Sequence, residues 1–121
     1  GRYNTIYDQP RTILAAVPGM KLAEMERKLD KSFCCGAGGA RMWMEEHDGE
    51  RINNMRTDQA LATHADAIAV ACPFCLTMMT DGLKARGVEE KITSLDIAEV
   101  VWKAMGLEEE KPPAEVCTPT Q

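Results

Sequence analysis

Four cysteines in two tightly spaced pairs constrain this chain more than any other feature of its sequence. Cys34 and Cys35 are adjacent and lead into a glycine-rich stretch, whereas Cys72 and Cys75 are separated by two residues. Thiolate sulfur is a soft ligand that suits zinc, copper(I) and iron–sulfur clusters. Adjacent cysteines rarely bridge each other, because the geometry of such a disulfide is strained. The pattern therefore predicts a metal site whose ligands are Cys34, Cys35, Cys72 and Cys75.

The two pairs are suited to different parts of such a site. The spacing of Cys72 and Cys75 lets both sulfurs reach one metal centre, and a helix that starts at Pro73 favours the thiolate form. The side chains of Cys34 and Cys35 leave the backbone in different directions, so they more naturally reach different iron atoms of a cluster. Three glycines allow the backbone to approach sulfide and to aim N–H groups at a negative cluster. These cofactor-binding candidates are Gly36, Gly38 and Gly39.

Length and composition predict an ordinary small domain. The chain has 121 residues, of which 45% are hydrophobic and 27% charged, and this balance suits one domain with a modest core. A net charge of −5 without a basic run argues against nucleic acid as a partner. The longest apolar run is about half of what a membrane span needs, so we expect no direct membrane span in this chain. Five cysteines, four of them paired, favour metal or redox chemistry in the cytoplasm over structural disulfides.

Helical and strand patterns alternate along the chain. The pattern predicts helices at 10–17, 40–46, 50–63, 73–87 and 95–105 and strands at 20–25, 67–71 and 91–93. We expect the strand at 67–71 to be fully buried, and the helix at 50–63 to turn Ile52, Met55 and Ala62 inward. The alternation predicts the α/β class, as a small Rossmann-like three-layer domain with a short, mostly parallel sheet. Sites in such sheets lie at the carboxyl ends of strands, which is where Cys72 falls.

At these residues the chain resembles the cysteine-rich CCG domain family, found in the B-type subunit of heterodisulfide reductase and in many iron–sulfur oxidoreductase subunits. The stretches at 34–39 and 71–75 match the two downstream cysteine elements of that family. The family has one further cysteine upstream, followed by Gly-Arg, and this chain opens with Gly1-Arg2. The resemblance therefore implies a C-terminal part of the domain over 1–106, without its first strand and first cysteine ligand. Residues 107–121 are predicted to form a disordered acidic, proline-containing tail.

The resemblance also implies a cofactor and a function. The cofactor is a [4Fe-4S] cluster, cubane or non-cubane, and some members hold zinc instead. The implied function is electron transfer within a larger oxidoreductase, of the heterodisulfide reductase type or linked to electron-transfer flavoprotein and quinone. The implied partners are other subunits or domains of a redox complex, at the cytoplasmic face of a membrane. We expect no catalysis from these 121 residues alone.

Two other interpretations fit the same cysteines. Four thiolates are enough for a structural zinc module, which would show no redox response. Alternatively, the tetrapeptide that runs from Cys72 to Cys75 resembles the glutaredoxin active site, which predicts a thiol–disulfide oxidoreductase that uses these two cysteines. That interpretation leaves Cys34 and Cys35 without a role. Outside the site, Trp43 is expected to pack in a core or an interface.

Overall fold

Four α-helices surround a two-stranded parallel sheet in this computed structural model, which describes residues 3–44 and 49–106. The elements in chain order are α1 (Asp8–Ala15), 3-10 turns at Leu29–Lys31 and Gly38–Trp43, α2 (Ile52–Leu61), β1 (Ala67–Val70), α3 (Pro73–Ala85), β2 (Thr93–Asp96) and α4 (Ile97–Ala104). Strands β1 and β2 run parallel, with Ala67 opposite Thr93 and Val70 opposite Asp96. The predicted α/β class with a short parallel sheet is confirmed.

Local sequence signals explain where the last two helices begin. Pro73 is the first residue of α3, where its missing N–H leaves no hydrogen bond unmade. At α4 a capping box fixes the start: Asp96 Oδ1 accepts a hydrogen bond from the Ala98 N–H at 2.8 Å, and Glu99 Oε2 accepts one from the Asp96 N–H at 2.7 Å. The helix expected from residue 95 therefore begins at Ile97. The strand expected at 91–93 lies at Thr93–Asp96 instead.

The core lies where α2 and α3 pack against one face of the sheet. Its buried apolar members are Ala60, Ile68, Met79 and Leu83. The two helices approach closely at Gly82, where an added Cβ would overlap Thr57 Oγ1 and lie 3.0 Å from Thr57 Cβ. Because α3 also carries Cys75, this close crossing fixes the position of that cysteine relative to α2.

The buried face of α2 is polar, and the predicted face is wrong. Met55 is 40% exposed, Ala62 is exposed and Ile52 is only partly buried, whereas Asn53 and Thr57 are 1% and 0% exposed. Both buried residues are compensated in part: the Asn53 amide donates to the Met78 carbonyl at 3.2 Å, and the Thr57 hydroxyl donates to the Asn53 carbonyl at 2.8 Å. A small polar face suits the short distance to α3 better than larger apolar side chains would.

Two predictions about strands also differ from the structure. Residues 20–25 form no strand, because no strand among the described residues pairs with them. Strand β1 is not fully buried: Ile68 is buried, but Ala67 and Ala69 are exposed. The physical reason is the same in both cases, since β1 pairs only with β2 and its outer edge stays open in the described structure.

Three further expectations concern the remaining segments. Trp43 is 79% exposed, so it does not pack in the core of this chain. The helical turn expected at 40–46 is a 3-10 turn that ends at Trp43, and residues 45–46 lie outside the described part of the chain. The tail predicted at 107–121 also lies outside it. In the described ranges, no helix is long and apolar enough to cross a membrane.

Candidate metal centre

The carboxyl end of β1 and the start of α3 position the second cysteine pair. Cys72 follows the strand, has an extended backbone and caps α3, while Cys75 lies in the first turn of that helix. The strand-to-helix junction thus places both thiols at the end of the sheet, as the sequence predicts. Both side chains are partly buried.

The structure brings the two cysteine pairs together. Cys35 and Cys75 are 40 positions apart in sequence, yet their sulfur atoms lie 3.2 Å from each other. Cys34 also interacts with Cys35 through their side chains, and Cys72 does so with Cys75. The four thiols therefore form one continuous row of contacts in the order 34, 35, 75, 72. Cys34, at one end of the row, is the exposed member.

The glycine turn presents backbone N–H groups to the first of these sulfurs. The Gly36 N–H donates to Cys34 Sγ at 3.3 Å, and the Gly38 N–H also points at that sulfur. Gly36 has φ +94°, and an added Cβ would lie 3.2 Å from both the Asn53 nitrogen and Met78 Cε. Glycine is therefore required there by conformation and by space. Gly39 has open space around it and makes no such contact.

The protein environment separates the pKa values of the thiols. Hydrogen bonds from backbone N–H groups, that of Gly36 first, lower the pKa of Cys34. The backbone N–H of Cys75 likewise lowers the pKa of Cys72. Burial raises the pKa of Cys75, and its contact with Cys35 raises it further. In the absence of metal, the two ends of the row favour thiolate and the buried Cys75 favours thiol.

Arg56 is a part of this site that the sequence did not indicate. Burial lowers the pKa of this guanidinium, and the thiolates of Cys34, Cys35 and Cys75 act in the opposite direction by charge attraction. Its Nη1 donates to the Arg27 carbonyl at 3.0 Å and to Gln59 Oε1 at 2.7 Å, which holds it on the inner side of α2. The only signal in the sequence is a basic residue on the helix between the cysteine pairs, which is not specific.

The donor set fits a thiophilic metal or cluster. Four sulfurs, two backbone N–H donors and one partly buried guanidinium all favour bound thiolates over thiols. In residues 3–44 and 49–106, no three Cys, His, Asp or Glu side chains surround a single point as the ligands of one ion do. The sulfurs form a row instead. The predicted ligands are thus brought together, and their arrangement is extended.

Fold and site together define a small α/β domain with a four-cysteine site at the carboxyl end of its parallel sheet. The chain belongs to the CCG family of cysteine-rich domains, whose family model matches residues 1–80. Those residues include both cysteine pairs and the glycine turn. No solved structure matches the chain.

Several curated proteins are similar to this chain. It is 52% identical over 105 residues to the probable iron-sulfur-binding oxidoreductase FadF of Bacillus subtilis, which covers 87% of this chain and 15% of that protein. It is 51% identical over 112 residues to the EtfAB:quinone oxidoreductase of Syntrophomonas wolfei, covering 87% and 16%. It is 36% identical over 107 residues to a subunit of the dihydromethanophenazine:CoB--CoM heterodisulfide reductase of Methanosarcina barkeri, covering 88% and 26%. The chain thus spans between 15% and 26% of the length of these relatives.

Proposed function

We propose that this chain is an iron–sulfur electron-transfer domain of a larger oxidoreductase. The observation that carries the proposal is the meeting of two cysteine pairs, 40 positions apart, with sulfurs in contact. A row of four thiolates with different directions of approach suits a cluster of several irons better than one tetrahedral ion. The cofactor proposed is a [4Fe-4S] cluster held by Cys34, Cys35, Cys72 and Cys75. When bound, it would supply one-electron chemistry.

The residues around the thiols have supporting roles in this proposal. Backbone N–H groups of Gly36 and Gly38 stabilise negative sulfur, as they already do at Cys34. Arg56 supplies positive charge from the α2 side. Such hydrogen bonds and charges set the reduction potential of a cluster.

The proposed partners follow from the names of the relatives. Two of them are an EtfAB:quinone oxidoreductase and a heterodisulfide reductase subunit, so we place this domain beside other subunits or domains of a redox complex. The exposed Trp43, Met44 and Phe74 lie near the cysteines in sequence and suit contact with such a partner. A position at the cytoplasmic face of a membrane complex is part of the same proposal. A similar probable membrane-anchored ferredoxin from Chromohalobacter salexigens supports it.

Anaerobic reconstitution with iron and sulfide tests the proposal. We expect broad visible charge-transfer absorption and a paramagnetic signal that appears and disappears on redox cycling. Single Cys→Ser changes at the four sites should each reduce the iron and sulfide content, while Cys117→Ser serves as the matched control. One zinc per chain with no redox response would overturn the proposal and favour a structural zinc module.

A second candidate function rests on the pKa difference between Cys72 and Cys75. An N-terminal thiol whose pKa is lowered, followed by a buried thiol whose pKa is raised, suits attack and resolution in thiol–disulfide exchange. In that reaction, Cys72 thiolate would attack a substrate disulfide, and Cys75 would release the product as the second thiol while a Cys72–Cys75 disulfide forms. Disulfide reduction by the metal-free protein, lost on Cys72→Ser, would favour this function.

A further inference from the structure

A channel runs along the outer edge of β1. It is a cavity of about 310 Å³, and one wall consists of the consecutive strand residues Ala67, Ile68 and Ala69. Because successive side chains of a strand point to opposite faces, consecutive residues line one cavity only when it lies against the strand's edge. The opposite wall is residues 20–25, all six of which line the channel.

Helices close the channel on its two remaining sides. Leu14 of α1 with Ile97 and Val100 of α4 lie on one side, and Ala60 of α2 lies on the other. Two long-range contacts hold the wall at 20–25 between these helices. Glu24 forms a bidentate ion pair with Arg11 of α1, in which Nη2 and Oε2 are 3.0 Å apart. The Arg27 carbonyl accepts the hydrogen bond from Arg56 of α2.

Backbone groups on both walls lack partners within the described structure. Strand β1 pairs only with β2, so its second edge has no ladder in residues 3–44 and 49–106. No backbone hydrogen bond joins residues 21–25 to any other described residue. Buried or half-buried backbone groups require hydrogen-bond partners, and parallel sheets are normally covered by helices on both faces. The channel has the helices and the two open edges, but the middle of the sheet is missing.

We propose that the channel seats a further β-strand, supplied by polypeptide outside these 121 residues, which pairs with β1 on one side and with residues 20–25 on the other. The relatives extend far beyond the matched region, because the chain spans 15% to 26% of their length. Since both faces of the channel are apolar helices, the strand must be an uncharged, β-branched run of about five residues.

The other source within this chain, the segment 107–121, does not fit. It contains three prolines, at 112, 113 and 119, and both of its longer proline-free stretches, 107–111 and 114–118, carry charge. A central strand must donate hydrogen bonds to both neighbours, which excludes proline.

Hydrogen exchange of the metal-free chain tests this proposal without any cofactor. The probe is an apolar strand, Thr-Ile-Val-Ile-Val-Thr, joined to Gly1 by a flexible glycine–serine linker, and the matched control carries the linker with glycine and serine in place of the strand. We expect the tethered strand to slow exchange of the amides of 21–25 and 67–70 by about tenfold or more. The glycine–serine extension should leave them unchanged.

A second pair of variants shows whether the strand occupies the channel. Ala69 is exposed in the chain alone but would be covered by a seated strand and α4, so Ala69→Lys should remove the added protection. Ala85→Lys, at the exposed end of α3, should retain it. The proposal is overturned if the strand adds no protection, or if the unmodified chain already protects both edges, either as a monomer or as a dimer detected by light scattering.

Discussion

Cys35 lies in sulfur-to-sulfur contact with Cys75, at 3.2 Å, rather than standing apart as the second half of a local Cys-Cys motif. The contact joins the glycine turn to the first turn of α3. Each cysteine pair is therefore incomplete alone, and the site exists only when α3 is packed on α2. This relationship links the chemistry of the thiols to the stability of the helix pair.

The metal-free thiols should react in an order set by their environments. Thiolate is the reactive form, so iodoacetamide should modify Cys34 and Cys72, whose pKa values are lowered, before Cys75, whose pKa is raised by burial. As pH rises, modification of Cys72 should reach its full rate below the ordinary thiol pKa of about 8.5, and that of Cys75 only above it. Peptide mass spectrometry after anaerobic labelling measures this order. Labelling in urea should abolish it, and faster labelling of Cys75 in the folded protein would contradict it.

Gly82→Ala should destabilise the protein although alanine is the better helix former. The added Cβ would overlap Thr57 Oγ1, so α2 and α3 would have to separate. Overpacking of this kind costs about 1–3 kcal/mol, which exceeds the gain of roughly 1 kcal/mol in helix propensity. Urea denaturation measures the free energy of unfolding.

The Thr57→Ala background is the control for this prediction. It removes the hydroxyl that the new Cβ meets, so Gly82→Ala should cost less there, and the two changes should be non-additive. Equal effects in both backgrounds would mean that the helix crossing is not limited by this contact.

Asp96→Ala should destabilise α4 by about 0.5–2 kcal/mol, because it removes the side chain that accepts the Ala98 N–H. Asp96→Asn should keep most of the cap and lose only the charge. The Asp96 charge raises the pKa of Cys72, so the asparagine variant should also speed labelling of that thiol at neutral pH. Urea denaturation and labelling rates separate the two effects. Equal loss of stability in both variants would argue against the capping role.

Arg56→Gln should lower the reduction potential of a bound cluster. Reduction adds negative charge, and the guanidinium favours negative charge on Cys34, Cys35 and Cys75. Arg56→Lys should retain most of the effect, and Lys84→Gln on the exposed side of α3 should have none. A redox titration followed by the paramagnetic signal measures the potential. An unchanged potential in Arg56→Gln would assign the residue a structural role through the Arg27 carbonyl alone.

Local signals made the start of α3 and the class of the fold predictable, whereas long-range packing determined the rest. Pro73 after an apolar run marks a strand-to-helix junction in any context. The buried face of α2 was not predictable, because Asn53 and Thr57 are polar and are buried only where Gly82 lets α3 approach. The segment at 20–25 has a strand-like sequence, but a strand needs a neighbour, and none of the described residues supplies one. Arg56 became part of the site only through the tertiary fold.

The ion pair between Arg11 and Glu24 should make stability depend on pH in one direction. The side-chain hydrogen bond from Arg11 lowers the pKa of Glu24 below its ordinary value of 4.5. A carboxylate whose pKa is lowered in the folded state stabilises that state fully above the unfolded pKa and loses this contribution as pH falls through the folded pKa. At neutral pH, Glu24→Gln should therefore reduce the free energy of unfolding by up to about 1 kcal/mol, since the pair is only partly buried.

The difference between the wild type and Glu24→Gln should shrink once the pH falls below about 4.5 and vanish at still lower pH, where both side chains are neutral. Urea denaturation at a series of pH values measures it. Glu26→Gln, at an exposed position two residues away, is the matched control and should show no such trend. A difference that grows as the pH falls would contradict the role of the ion pair in holding residues 20–25 against α1.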